Sequence, residues 1–154
     1  MKEHRRQLQE TMRVPQARMR ACGWGVNERE PRDNGTFYAW PNHDSRILYV
    51  GASANLTPGA LRFWISLADA KARVAVAERL VTEVAPRLQN AFGRDLHLAT
   101  WAVRYKTTDP AIDVRVPLQT LLKGLQAHHG VGARIETAME IISVAALRIA
   151  DGRA

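Results

Sequence analysis

The 154-residue sequence predicts an α/β (α+β) protein, with a small three-stranded, mainly antiparallel sheet flanked by helices. Three observations predict it. Gly35–Trp40 and Ile47–Leu56 are aromatic and β-branched runs on either side of a Pro-Asn-His-Asp-Ser-Arg turn, the pattern of a β-hairpin. Leu96–Tyr105 alternates apolar and polar residues and supplies a third strand. Two longer segments, ending near Pro86 and near Ala150, carry apolar residues at helical spacing.

The elements follow in chain order. Residues 1–34 read as a basic N-terminal arm and approach loop, and residues 35–154 as one domain with C-terminal helices. Lys2, Arg5, Arg6, Arg13, Arg18 and Arg20 face only Glu3 and Glu10 across the first twenty residues, so this stretch is expected to be a frayed helix or a mobile arm. Either form is a candidate for phosphate contact through Arg5, Arg6, Arg13 and Arg18, and a solvated helix without a partner is the alternative. Gly23, Gly25, Pro31, Asp33, Asn34 and Gly35 punctuate the approach to the hairpin. After it, Thr57-Pro58 has the chemistry of an N-cap and first helical residue, predicting a short helix over Ala60–Leu67. Asp69 caps a second helix, with Val74, Val76, Ala77, Leu80, Val81 and Val84 as its apolar stripe up to Pro86. Beyond the third strand, a Thr-Thr-Asp-Pro turn leads to a helix opening at Val116-Pro117-Leu118 and stopping at His128-His129-Gly130. A last helix spans about 133–150.

Composition bounds the function. The 22 Lys and Arg against 15 Asp and Glu give a net charge of +7, so the surface attracts polyanions, with DNA the first partner expected and RNA an alternative. The lone Cys22 excludes an intrachain disulfide, and none of the five histidines has zinc-ligand spacing. No segment approaches the length of a membrane span, and the charged N-terminal residues do not form an apolar signal core. The expectation is a protein of the reducing cytoplasm with no membrane partner.

The hairpin carries the most specific pattern. Gly35-x-aromatic is followed by Tyr49-Val50-Gly51-x-Ser53-x-Asn55-Leu56, with eleven residues between Phe37 and Tyr49 and ten between Tyr38 and Tyr49. This resembles the GIY-YIG nuclease family, which also supplies the N-terminal nuclease module of a DNA excision-repair enzyme. Arg62, eleven residues after Gly51, is the nearest match to the family's arginine, through a longer loop at Thr57-Pro58-Gly59. Glu78, Leu80-Val81, Pro86 and Asn90 resemble the family's glutamate, aliphatic pair, proline and asparagine, with twelve residues from Glu78 to Asn90. Unlike in the family, the third strand follows the glutamate helix here. Glu83, Glu136 and Glu140 stand in reserve.

The resemblance implies a DNA endonuclease. Tyr49 would be its general base, Arg62 its phosphate stabiliser and Glu78 its ligand for Mg²⁺ or Mn²⁺. Tyr38 or Phe37 would complete the first motif, with Asn55 and Asn90 in support. The chemistry is coherent: phosphodiester hydrolysis needs an activated water, a cation against the developing charge, and a hard metal held by carboxylate oxygen. Two other readings compete. One is a nucleic-acid-binding module that keeps the fold without the chemistry. The other is a partner-binding domain whose last helix pairs with another chain through Ile135, Met139, Ile142, Val144 and Leu147. Trp40, Trp64 and Trp101 are expected to fill the core, and only a solvent-facing tryptophan would point to base stacking.

Overall fold

A computed structural model describes residues 2–27, 35–43, 45–55, 60–92, 96–99, 110–115, 119, 122–123 and 131–150. In chain order these form α1 (Lys2–Ala21), β1 (Gly25–Val26), β2 (Phe37–Trp40), β3 (Ile47–Asn55) and β4 (Ala60–Leu67). Then come α2 (Arg73–Arg79), α3 (Ala85–Phe92), β5 (Leu96–Ala99), β6 (Ala111–Arg115) and α4 (Val131–Ala150). The fold is α+β. All strand pairings are antiparallel, in one sheet of order β1-β2-β3-β4-β6-β5, with β1 only two residues long.

One face of the sheet makes the core. Phe37 and Ala39 of β2, Val50 and Ala52 of β3, the alternate residues Leu61, Phe63, Ile65 and Leu67 of β4, and Ile112 and Val114 of β6 are all buried. They join a single apolar cluster with Leu8, Met12 and Met19 of α1, Val76 of α2, Leu88 of α3, and Ile135, Met139 and Ile142 of α4. Burying each such large side chain contributes roughly 1.5–3 kcal/mol, far more than any surface ion pair on this molecule. Every described helix therefore covers the same side of the sheet.

The predicted hairpin forms, with Phe37 opposite Ala52 and Ala39 opposite Val50. Its turn is held by the Ile47 N–H donating to Ser45 Oγ at 3.1 Å and by Asn42 Nδ2 donating to the Gly23 carbonyl at 2.8 Å. Ile47 pairs with Leu67 but Tyr49 with Ser66, so Leu48 is an extra residue, a β-bulge. The bulge lets Ile47 and Val50, three residues apart, both point into the core, and it leaves Leu48 exposed and Tyr49 half-buried.

Several expectations are corrected. The sheet has six strands rather than three. Ala60–Leu67 is a strand and not a helix, because its apolar residues recur every second position and pair along the whole length of β3. The capping residues Thr57 and Pro58 lie outside the described residues. The helix begun at Asp69, whose Oδ1 accepts the Lys71 N–H at 2.9 Å, does not stop at Pro86. It runs on to Phe92 through a π-helical turn at Leu80–Val84. Proline lacks the N–H that an α-helix would aim four residues back, and the π-helical turn lies immediately before it. The N-terminal residues form no mobile arm. Leu8, Met12 and Met19 fix α1 into the core, and Gln16 Nε2 donates to the Asn27 carbonyl at 2.8 Å. β1 and β6 have no counterpart in the sequence reading. Residues 100–105 of the predicted third strand lie outside the described residues, as does the predicted helix from Val116 apart from helical turns at Gln119 and Leu122–Lys123.

Candidate functional site

The other face of the sheet carries the hairpin's polar and aromatic side chains, and no described helix packs on it. Strand register sets their neighbours. One cross-strand row contains Tyr38, Gly51, Trp64 and Ala111, and the next contains Ser53, Arg62 and Asp113. Tyr49 faces Ser66, and Gly25 faces Trp40. Residues two apart on a strand put such rows about 7 Å from each other.

Gly51 is the seat of Trp64. A methyl group placed on Gly51 would lie 2.3 Å from both Cε2 and Cζ2 of that indole, well inside contact distance. Tyr38 meets the same indole edge-on, with ring centres 5.8 Å apart at 78°, and meets Tyr49 at 5.1 Å and 82°. Such perpendicular contacts are favourable aromatic geometry and hold the rings in place. The arrangement recurs at β1, where a methyl group on Gly25 would lie 2.0 Å from Nε1 of Trp40. Trp40 remains 38% exposed.

Arg62 and Asp113, directly opposite each other on β4 and β6, form a two-pronged ion pair: Arg62 Nε donates to Oδ1 at 2.6 Å and an Nη donates to Oδ2 at 2.8 Å. The Asp113 hydrogen bond holds the guanidinium pKa above its ordinary value, outweighing the opposing effect of burial. Arg115, exposed, stands beyond Asp113 on the same strand.

The sequence-derived candidates separate into two groups. Tyr38, Tyr49 and Arg62 share this face, whereas Phe37 is buried on the core side, so only Tyr38 fits the first motif here. Glu78 is exposed on α2 within the helical layer, and Asn90 is exposed on α3. Neither belongs to the face that bears Tyr49 and Arg62. The backbone of Asn55 ends β3 opposite Ala60. Arg5, Arg6, Arg13 and Arg18 lie exposed on α1, Arg6 paired with Glu3 at 3.1 Å. Arg18 is paired with Glu140 at 2.6 Å and Glu136 at 3.7 Å, and the Glu140 hydrogen bond raises its pKa. The reserve residue Glu83 accepts from Arg79 at 2.6 Å and from Arg148 at 2.5 Å, chiefly the Arg79 hydrogen bond holding its carboxyl below the usual range. All three reserve glutamates are thus engaged with arginines.

Among the described residues no three His, Cys, Asp or Glu side chains converge, and Glu78 stands on the helical side. Sequence reasoning missed Asp113, whose role shows only once β6 is paired with β4. It also placed Trp40 and Trp64 in the core, although both lie on the opposite face; Trp101 lies outside the described residues. The partner-helix reading is corrected as well, since Ile135, Met139 and Ile142 fill this chain's own core and only Val144 of that set is exposed. Comparison with known protein families, characterised proteins and solved structures gives no match.

Proposed function

We propose that the protein binds nucleic acid, DNA in the first instance, through the face of the sheet on which no described helix packs. The observation that carries this reading is the aromatic surface of Tyr38, Tyr49, Trp64 and the exposed Trp40 on a chain of net charge +7. Aromatic faces take up bases, and an excess of arginine and lysine draws in the phosphate chain. The hairpin is then that of a GIY-YIG-like module that keeps nucleic-acid contact without the family's metal chemistry. The lone Cys22 suits a reducing, cytoplasmic setting.

Hydrolysis of DNA with Mg²⁺ or Mn²⁺ is the second reading, favoured by one observation: Tyr49 and Arg62 lie on the same face. Against it, Arg62 is committed to Asp113 and Glu78 belongs to the helical layer. Binding of labelled oligonucleotides, followed by anisotropy, tests the proposal. Affinity is expected to fall about tenfold or more between 50 and 200 mM salt, as for about three phosphate contacts. Absence of binding at the lower salt would refute it. Plasmid nicking that requires Mg²⁺ or Mn²⁺ and disappears in Arg62→Ala and Tyr49→Phe would put the second reading in its place.

A further inference from the structure

We infer that the partner is an unpaired strand, whose bases stack on Trp64 and Trp40; this rests on the nucleic-acid reading above. Both indoles sit over a glycine, Trp64 over Gly51 and Trp40 over Gly25. Both rings are thus seated against sheet backbone, and Trp40 stays 38% exposed while Trp64 is half-buried. Tyr38, perpendicular to Trp64, packs against that ring and helps to fix it. The two tryptophans stand on β2 and β4 in adjacent rows, about 12 Å apart from two strand spacings and one row spacing, so each serves a different base.

Duplex DNA suits such a surface less well, because its bases are already stacked on each other and do not offer their faces to the indoles. The described helices are poor substitutes. Arg6, Arg18 and Arg79 are each paired with a glutamate, and although Arg5, Arg13 and Arg20 are also exposed on α1, none of α1, α2 and α4 carries a Phe, Trp or Tyr on which a base could stack. Unpaired bases meet no such obstacle, and every base has a face to stack, so the recognition tolerates sequence. A neutral sugar or a proline-rich peptide would also lie on aromatic rings, but neither draws on the charge of +7, nor on the exposed Arg46 and Arg115 at the ends of β3 and β6.

The full chain is titrated with labelled oligo-dT and oligo-U of about twelve nucleotides and with a hairpin duplex of similar length. Unpaired strands are expected to bind at least about tenfold more tightly than the duplex and to quench tryptophan fluorescence. Trp40→Ala and Trp64→Ala should each weaken that binding about fivefold to a hundredfold, with Trp40→Phe retaining most of it. Trp40 is exposed enough that its replacement leaves the core intact, and thermal melts confirm folding. Equal or tighter binding of the duplex overturns the inference while leaving the nucleic-acid reading standing, and so does unchanged single-strand affinity in both alanine variants. Failure of every oligonucleotide to bind overturns the reading itself.

Discussion

Replacing Gly51 by alanine separates two explanations of the Tyr49-Val50-Gly51 sequence. If the glycine exists to let a ligand approach the backbone, a methyl group there harms binding and leaves the fold alone. If it exists to seat Trp64, the methyl group meets Cε2 and Cζ2 at 2.3 Å and Nε1 at 2.8 Å, and the indole must move by more than about 1 Å to restore ordinary contact. Overpacking of this kind costs roughly 1–3 kcal/mol, whereas alanine in place of glycine in a strand interior returns about 0.5–1 kcal/mol through reduced backbone entropy. The net expectation is a loss of about 1–2 kcal/mol, a fall in melting temperature of about 2–8 °C for a chain of this size.

The double-mutant cycle with Trp64→Ala makes the attribution specific. In that background the clash has no partner, so Gly51→Ala is expected to stabilise by about 0.5–1 kcal/mol, reversing its sign. Urea unfolding of the four proteins gives the coupling, expected at about 1.5–3 kcal/mol. Additivity within about 0.5 kcal/mol would refute the seat and return Gly51 to a role in ligand approach.

Three further outcomes follow from the geometry. Gly35 has φ of +71° and lies against α1, where a methyl group would stand 2.7 Å from Met12 Cγ, so Gly35→Ala should cost about 1–3 kcal/mol in urea unfolding; a loss below about 0.5 kcal/mol would contradict it. Glu83, held below the usual carboxyl range by Arg79 first and Arg148 next, binds fewer protons when folded than when unfolded on acidification. Its contribution is thus present above the ordinary carboxyl pKa and lost as pH falls through the depressed folded value. Glu83→Gln should flatten the acid limb of melting temperature against pH, and an unchanged limb would rule this out. On α4, Ile142→Asp should cost about 3 kcal/mol or more, while Val144→Asp, at a residue 64% exposed, should stay within about 0.5 kcal/mol and leave sedimentation unchanged. Equal tolerance of the two would mean that α4 does not face the core through Ile142.

Local chemistry decides which elements can be read from the sequence. The hairpin is legible because its turn residues and its alternation are both written within the run itself, and α4 because its apolar spacing persists over many turns. Ala60–Leu67 misleads for a definite reason. Phe63-Trp64 sets two large apolar residues side by side, so the every-second-residue pattern of Leu61, Phe63, Ile65 and Leu67 looks like a continuous apolar face behind a proline-led cap. Five residues of β6 that include Asp113 and Arg115 form too short a run to stand out as a strand, and only its pairing with β4 shows what Asp113 meets.

The candidate site shows the same limit more sharply. The twelve-residue interval from Glu78 to Asn90 is correct as spacing, yet helix phase, set by buried Val76, Ala77, Val84 and Leu88, turns both residues outward on the helical side of the molecule. A spacing match along one helix carries no information about which face of a distant sheet that helix covers. Gly51 makes the converse case. Its identity is required by Trp64, thirteen residues away in sequence and directly across in the sheet, so the tyrosine-glycine pattern records a packing constraint of the aromatic face. Tyr38 and Tyr49 are held by that same packing. What the pattern records is therefore the shape of a packed aromatic surface, and on the reading proposed above the place to look for function is on Trp64 and Trp40 before the Tyr49 hydroxyl.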